Sequence, residues 1–299
     1  MVTGLDTTNP GGTTQATCSA GAIQPGGTTQ ATCSADAIQP GGAPMSSCKV
    51  LDANAIKFIA IVAMTIDHVA WTVYPGYPHR WTPILMHIVG RITMPIMCYF
   101  VAEGFFHTRN IGKYTFRMFL FAVISHFAFM FQWYGFDWHA YIPFYYGAQG
   151  GSQTSVIWTL AWGLVMLRVE YSERIRSRAL KTLLICLICL ASFCGDWSCT
   201  ASLLVLSFGT NRGHPVRQTL WLVFYVTVFA YTFVADDMLY ATMQLAVVLA
   251  IPILAFYNGR RGPNPRVNAF MKWFFYVYYP LHLTVLGLLK VYHLIPISQ

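Results

Sequence analysis

The sequence predicts an all-α fold: a polytopic bundle of about nine transmembrane helices behind a disordered N-terminal tail. Three observations predict it. The chain is 56% hydrophobic and only 10% charged, where a soluble domain is about 25% charged. Its apolar residues fall in long blocks, close to the ~20 that cross a bilayer core as a helix. Its basic residues collect in alternate loops between those blocks.

Residues 1–48 form the first predicted unit and 49–299 the membrane domain. The tail has no apolar run and does not read as a signal peptide. It carries a tandem repeat, GGTTQATCSAGAIQP at 11–25 and GGTTQATCSADAIQP at 26–40. Gly, Thr, Ser, Gln and Ala bury too little apolar surface to fold alone, and two copies are too few for a solenoid. A thiol tether through Cys18 and Cys33 is the sharper alternative, though no chemistry in the sequence requires it.

Nine apolar segments follow, at about 55–74, 84–106, 114–134, 154–169, 179–194, 197–209, 218–235, 239–257 and 272–290. The sixth is short for a spanning helix. The segments 107–117, 168–181, 210–217 and 258–272 hold 14 of the 19 Lys and Arg residues. The alternate loops carry Asp137, Asp196, Asp236 and Asp237 instead. Basic loops stay on the cytoplasmic side, so the N-terminus is expected inside and the C-terminus outside, in a bacterial inner or plasma membrane. The alternation continues through the sixth segment, which is therefore expected to cross.

The net charge of +8 does not indicate nucleic acid, because the cations lie in short loops rather than on one soluble face. Cys98, Cys186, Cys189, Cys194 and Cys199 sit in or beside apolar spans, where free cysteine behaves as a small hydrophobe. Cys186 and Cys189 make a CxxC with no second ligand pair, so no metal is expected.

Ionisable groups inside a bilayer are costly and usually mark function. The first span, IKFIAIVAMTIDHVAWTVYP, carries Asp67 and His68 toward its outer end. The second, ILMHIVGRITMPIMCYFVAEGFFHTRN, carries Arg91 in its outer half, Glu103 in its inner half and His107 at its inner end. Gly90 and Pro95 flank the polar point and predict a kink. The last span holds Tyr278, Tyr279, Pro280 and His282. Each has a structural alternative. Asp67 and Arg91 would make one ion pair. Glu103 would pair with His107 at i,i+4. His126 in the third span reads first as a hydrogen-bonded core residue. The combination of Asp67, His68, Arg91, Glu103 and His282 exceeds what packing requires.

In the stretches IKFIAIVAMTIDH, GRITMPIMCYFVAEGFFHTRN with the following KY, the DW before a short apolar run, and YYPLHL, the sequence resembles the TraX family. That family is named for a conjugative-plasmid protein that N-acetylates pilin. The resemblance covers about 51–290. The family is similar to a large superfamily of integral-membrane acyltransferases, which carry a His ending the first span, an Arg in the second and a Phe- and Gly-rich end to that span. His68, Arg91 and Glu103–Phe106 occupy those places, whereas His126 stands where a different polar residue is expected. The resemblance implies acetyl-CoA as donor and an amine or hydroxyl acceptor, a pilin-like N-terminus, a sugar or a small molecule. Arg109, Lys113 and Arg117, just after the second span, are the expected phosphate cluster, with Arg174, Arg176 and Arg178 as the alternative.

An amine or hydroxyl loses a proton as it attacks a thioester, and a positioned His is the usual base. His68 is the first choice and His282 the reserve. Arg91 would pair with Asp67 or hold the oxyanion. A proton-coupled transporter is the competing reading, since intramembrane Asp, Glu and His also build proton relays. The two halves of the chain show no internal repeat of the kind transporters often carry.

Overall fold

The computed structural model describes residues 50–76, 78–142, 146–147, 150–151 and 153–295. The tandem repeat and the boundary at 48 lie outside them.

The described residues form a helical bundle. Helix α1 spans Ala53–Val73, with the Asp52 carboxylate accepting from the Ala55 amide at its start. The second apolar segment is two helices, α2 (Trp81–Gly90) and α3 (Thr93–His107), broken at Arg91–Ile92. This is the predicted kink. Pro95 falls in the first turn of α3, where a missing N–H removes no helical bond. Helix α4 covers Ile111–Tyr134 from an Asn110 cap. Then come α5 (Val156–Glu170), α6 (Arg178–Ser192), α7 (Ser198–Thr210) and α8 (Pro215–Tyr231). The eighth segment is discontinuous: α9 (Met238–Gln244), a 3-10 turn at Leu245–Leu249, and α10 (Ala250–Ala255). Helix α11 runs Pro265–Val291 and contains Pro280.

Five stretches are long and apolar enough to cross a bilayer: Ala53–Val73, Trp81–His107, Ile111–Tyr134, Met238–Ala255 and Pro265–Val291. Helices α5 to α8 are shorter, at 13 to 17 residues. Helix α7 explains how a short helix is tolerated. Ala201, Leu204, Val205 and Phe208 are almost fully buried in the main core, so neighbouring protein rather than lipid surrounds it. The outside is apolar, with Phe58, Leu120, Phe127, Leu183, Leu190, Phe224, Val228 and Val277 all exposed. A belt of this kind suits hydrocarbon, where helices satisfy their own backbone hydrogen bonds.

The loops sort by charge as the sequence predicts. At one end the Arg212 guanidinium meets Glu103 at the foot of α3. At the same end the Tyr171 hydroxyl donates to the Gly209 carbonyl. The Arg260 carbonyl receives the Ala53 amide at 2.8 Å. At the opposite end the Asp196 amide donates to the Thr154 carbonyl at 2.7 Å, and His79 lies 3.6 Å from Asp237. Helix α7 starts at the acidic end and finishes at the basic one, so the sixth segment does cross the bundle.

Candidate functional site

A cavity of about 1040 Å³ runs into the bundle, lined by α1, the α2–α3 break, α3, α4, the start of α7 and α11. Its lining extends from the basic-loop end to Asp67, His68, Arg91 and Asp196 at depth.

The deep cluster is specified by hydrogen bonds. His68 Nδ1 lies 2.7 Å from His282 Nε2, with the rings 4.9 Å apart. His282 Nδ1 lies 2.9 Å from the Tyr278 carbonyl, which only accepts. A neutral His282 therefore carries its proton on Nδ1 and accepts on Nε2. His68 must then donate from Nδ1, which leaves Nε2 as its unprotonated nitrogen, with no hydrogen bond among the described residues, on a side chain that lines the cavity. The first choice and the reserve base are thus partners, with His68 lining the cavity and His282 buried behind it. The His68 carbonyl is fixed too, accepting from Thr72 at 2.7 Å and from the Gln132 amide at 3.2 Å.

Asp67 and His68 are adjacent, so their side chains leave α1 about 100° apart. His68 meets α11, while Asp67 meets α2, where His87 Nδ1 donates to its carboxylate at 2.9 Å. His87 was not singled out from the sequence. The available signal is its i,i+4 spacing to Arg91, which puts both on one helix face. Gly90 permits the approach: a Cβ there would stand 2.3 Å from Asp67 Cβ. Arg91, also buried, lies over the Trp197 and Tyr240 rings at 5.4 and 5.8 Å. Trp197 takes a left-handed backbone conformation, φ +65°, uncommon for a bulky residue. Burial pushes the neighbouring Asp196 carboxyl up to about 6, against the pull of the Arg91 charge.

The other end of the cavity is cationic. Arg109, Lys113 and Arg117 all line it, and Lys57, Arg261 and Lys272 join them. Lys57 packs over the rings of Phe100 and Phe275 at 5.0 and 5.5 Å. It precedes His68 by three helical turns, so both face the cavity about 16 Å apart along the axis. Arg174, Arg176 and Arg178 are not among the lining residues, and Arg178 pairs with Glu170 at 2.7 Å.

Glu103 does not join the histidine pair. It sits about 18 Å along the helical path from Arg91, accepting from Arg212 Nε at 2.9 Å and contacting His107 at 3.2 Å. His126 is the core residue its sequence context suggested: one ring nitrogen lies 3.1 Å from the Thr154 hydroxyl and the other 3.1 Å from the Tyr141 carbonyl. Among the described residues no cluster of His, Cys, Asp and Glu could hold a metal ion.

Comparison with known proteins gives a consistent grouping. The family described as TraX protein matches residues 52–290. A probable fimbrial assembly protein, FimC of serogroup H1 from Dichelobacter nodosus, is 30% identical over 248 residues, covering 80% of this chain and 96% of the relative. An uncharacterized protein of Rickettsia prowazekii is 38% identical over 53 residues, 18% of this chain and 19% of its own length. No solved structure matches.

Proposed function

The chain belongs to the TraX family, and from that premise we propose that it is a multi-pass membrane acyltransferase moving an acetyl group from acetyl-CoA to an amine or hydroxyl. The observation that carries the reading is that one cavity joins six cations to a histidine with an unprotonated nitrogen. A donor with phosphates at one end and a thioester at the other has to span that distance.

In this reading the phosphates sit among Lys57, Arg109, Lys113, Arg117, Arg261 and Lys272, where Arg offers bidentate contacts. The thioester carbonyl lies near His68. His68 Nε2 takes the proton of the attacking acceptor and returns it to the leaving thiol, while His282 holds the ring in the required tautomer. Acetyl-CoA is cytosolic, so the basic end faces the cytoplasm, in agreement with the positive-inside rule, and the N-terminus lies on that side. The named fimbrial relative and the family resemblance make a pilin-like N-terminus the first acceptor to try, with sugars and small molecules next.

Purified protein in bilayers, given radiolabelled acetyl-CoA and a membrane extract, should release free thiol and label an acceptor. No release above protein-free bilayers, over amine and hydroxyl acceptors alike, would sink the proposal. A proton-coupled carrier is the second reading, favoured by a cavity whose lining includes buried titratable groups from three helices. Proton flux into proteoliposomes without thiol release would select it.

A further inference from the structure

We infer that Cys189 and Cys199 form a redox-active pair, whose oxidation to a disulfide braces the corner between α6 and α7 that walls the deep end of the cavity.

Four cysteines lie in this hairpin: Cys186 and Cys189 on α6, Cys194 at the corner and Cys199 in the first turn of α7. Helix α6 packs on α7, and the Cys189 thiol donates a hydrogen bond to the Cys199 sulfur across that contact. The other two are placed differently. Cys186 is exposed, and Cys194 donates to the Ala191 carbonyl at 3.5 Å. A disulfide sets its sulfurs about 2 Å apart, so a pair that already shares a hydrogen bond needs little movement to reach it. Both residues are only partly buried, within reach of a small oxidant.

The corner they flank belongs to the site. Cys199 stands two residues after Trp197, whose ring lines the cavity and lies 5.4 Å from the Arg91 guanidinium. Trp197 and Ser198 both hold a left-handed backbone, φ +65° and +47°, where residues other than glycine are seldom found. Such a turn persists only when its surroundings hold it. Thr154 ties it from one side, its carbonyl accepting from the Asp196 amide. A covalent tie from Cys199 to α6 holds it from the other. In the orientation proposed above this corner lies at the outward, acidic end, and the bacterial periplasm is oxidising.

The oxidant is itself a disulfide. The first turn of a helix favours an anion, so Cys199 gives its proton to solvent and attacks one sulfur of the oxidant, expelling the other as a thiolate. Cys189 then loses its proton, attacks the Cys199 sulfur and expels the second thiolate. Two electrons and two protons leave the pair, and the oxidant becomes two thiols.

The test treats the full chain in bilayers with glutathione disulfide, caps free thiols with N-ethylmaleimide and cuts with trypsin. All four cysteines fall in one peptide, 182–212. The expected peptide carries adducts at Cys186 and Cys194 alone, and reduction before capping adds them at Cys189 and Cys199. Four adducts after oxidation would overturn the inference, as would a bond from Cys189 to Cys186 or Cys194. Cys186→Ser should keep the bond, whereas Cys189→Ser should return an adduct to Cys199. The brace is read as a thermal midpoint: oxidised wild type should melt above reduced wild type, and Cys189→Ser should show no such difference. Equal midpoints for the two wild-type forms would overturn the bracing role. None of these readouts requires acetyl transfer, so they stand or fall apart from the proposed activity.

Discussion

The two ends of the cavity are built on opposite principles. At the basic end six cations line one opening, Arg212 and His107 converge on Glu103, and Arg212 is nearly half exposed. The charges there are redundant and partly hydrated, and any single one contributes little. At depth the polar groups that build the site are held one to one: His68 with His282, Asp67 with His87, the His68 carbonyl with Thr72 and Gln132. Low local polarity makes those bonds strong and their loss costly. Redundancy suits the capture of a charged ligand, and single partnership suits the placement of reacting atoms.

That contrast breaks most readily at His68. Its replacement by Ala should lower transfer by about 10²–10⁴-fold, the usual range for a general base, with insertion and acetyl-CoA binding retained. His282→Ala should act in the same direction and less strongly, because it frees the His68 tautomer without removing the base. A His68→Ala enzyme within about tenfold of wild type would move the base elsewhere.

The next effect is at the basic end. Arg109→Glu with Arg117→Glu should raise the acetyl-CoA KM and leave kcat near wild type, the signature of lost ground-state binding. Raising the salt should narrow the difference, because exposed charges are screened. Normal donor binding by the double variant would remove these residues from the donor site.

The smallest effect concerns Asp196. Its folded pKa, about 6, lies above the ordinary carboxylate value, so the folded protein holds the proton more tightly than the unfolded chain. That stabilisation is complete below about pH 4 and is lost as pH rises through 6. Asn keeps the acceptor for the Trp197 amide, which lies 3.0 Å from the carboxylate. The thermal midpoint of Asp196→Asn should therefore gain on wild type between pH 4 and 7. Parallel midpoints across that range would show that Asp196 does not titrate there.

Most of the fold was legible because hydrophobic blocks and loop charge are local signals. All nine segments appear as helical stretches, eight of them within four residues of their expected bounds and the last starting seven residues earlier, at Pro265. The second and eighth are interrupted: Gly90 with Pro95 marks the first, and Pro252, whose missing N–H leaves the Val248 carbonyl without its helical donor, stands beside the second. The site was legible as a set of costly residues but not as a set of pairs. His87 and Lys57 look unremarkable inside apolar runs, and their importance depends on which helix lies opposite. Glu103 lines the cavity toward its basic end, and its partner there, Arg212, lies more than 100 residues later in the chain.

The sequence by itself determined that this chain is a membrane bundle, where its helices run, which loops share an end, and that His68, Arg91 and His282 are dear enough to need a purpose. Those follow from transfer free energies, which belong to each residue alone. The tertiary structure decided that His68 and His282 form one unit, that Asp67 turns to His87, and that one cavity links the cations to His68. Such facts depend on which helix faces are packed together, and helix packing is fixed by contacts between segments that lie far apart along the chain.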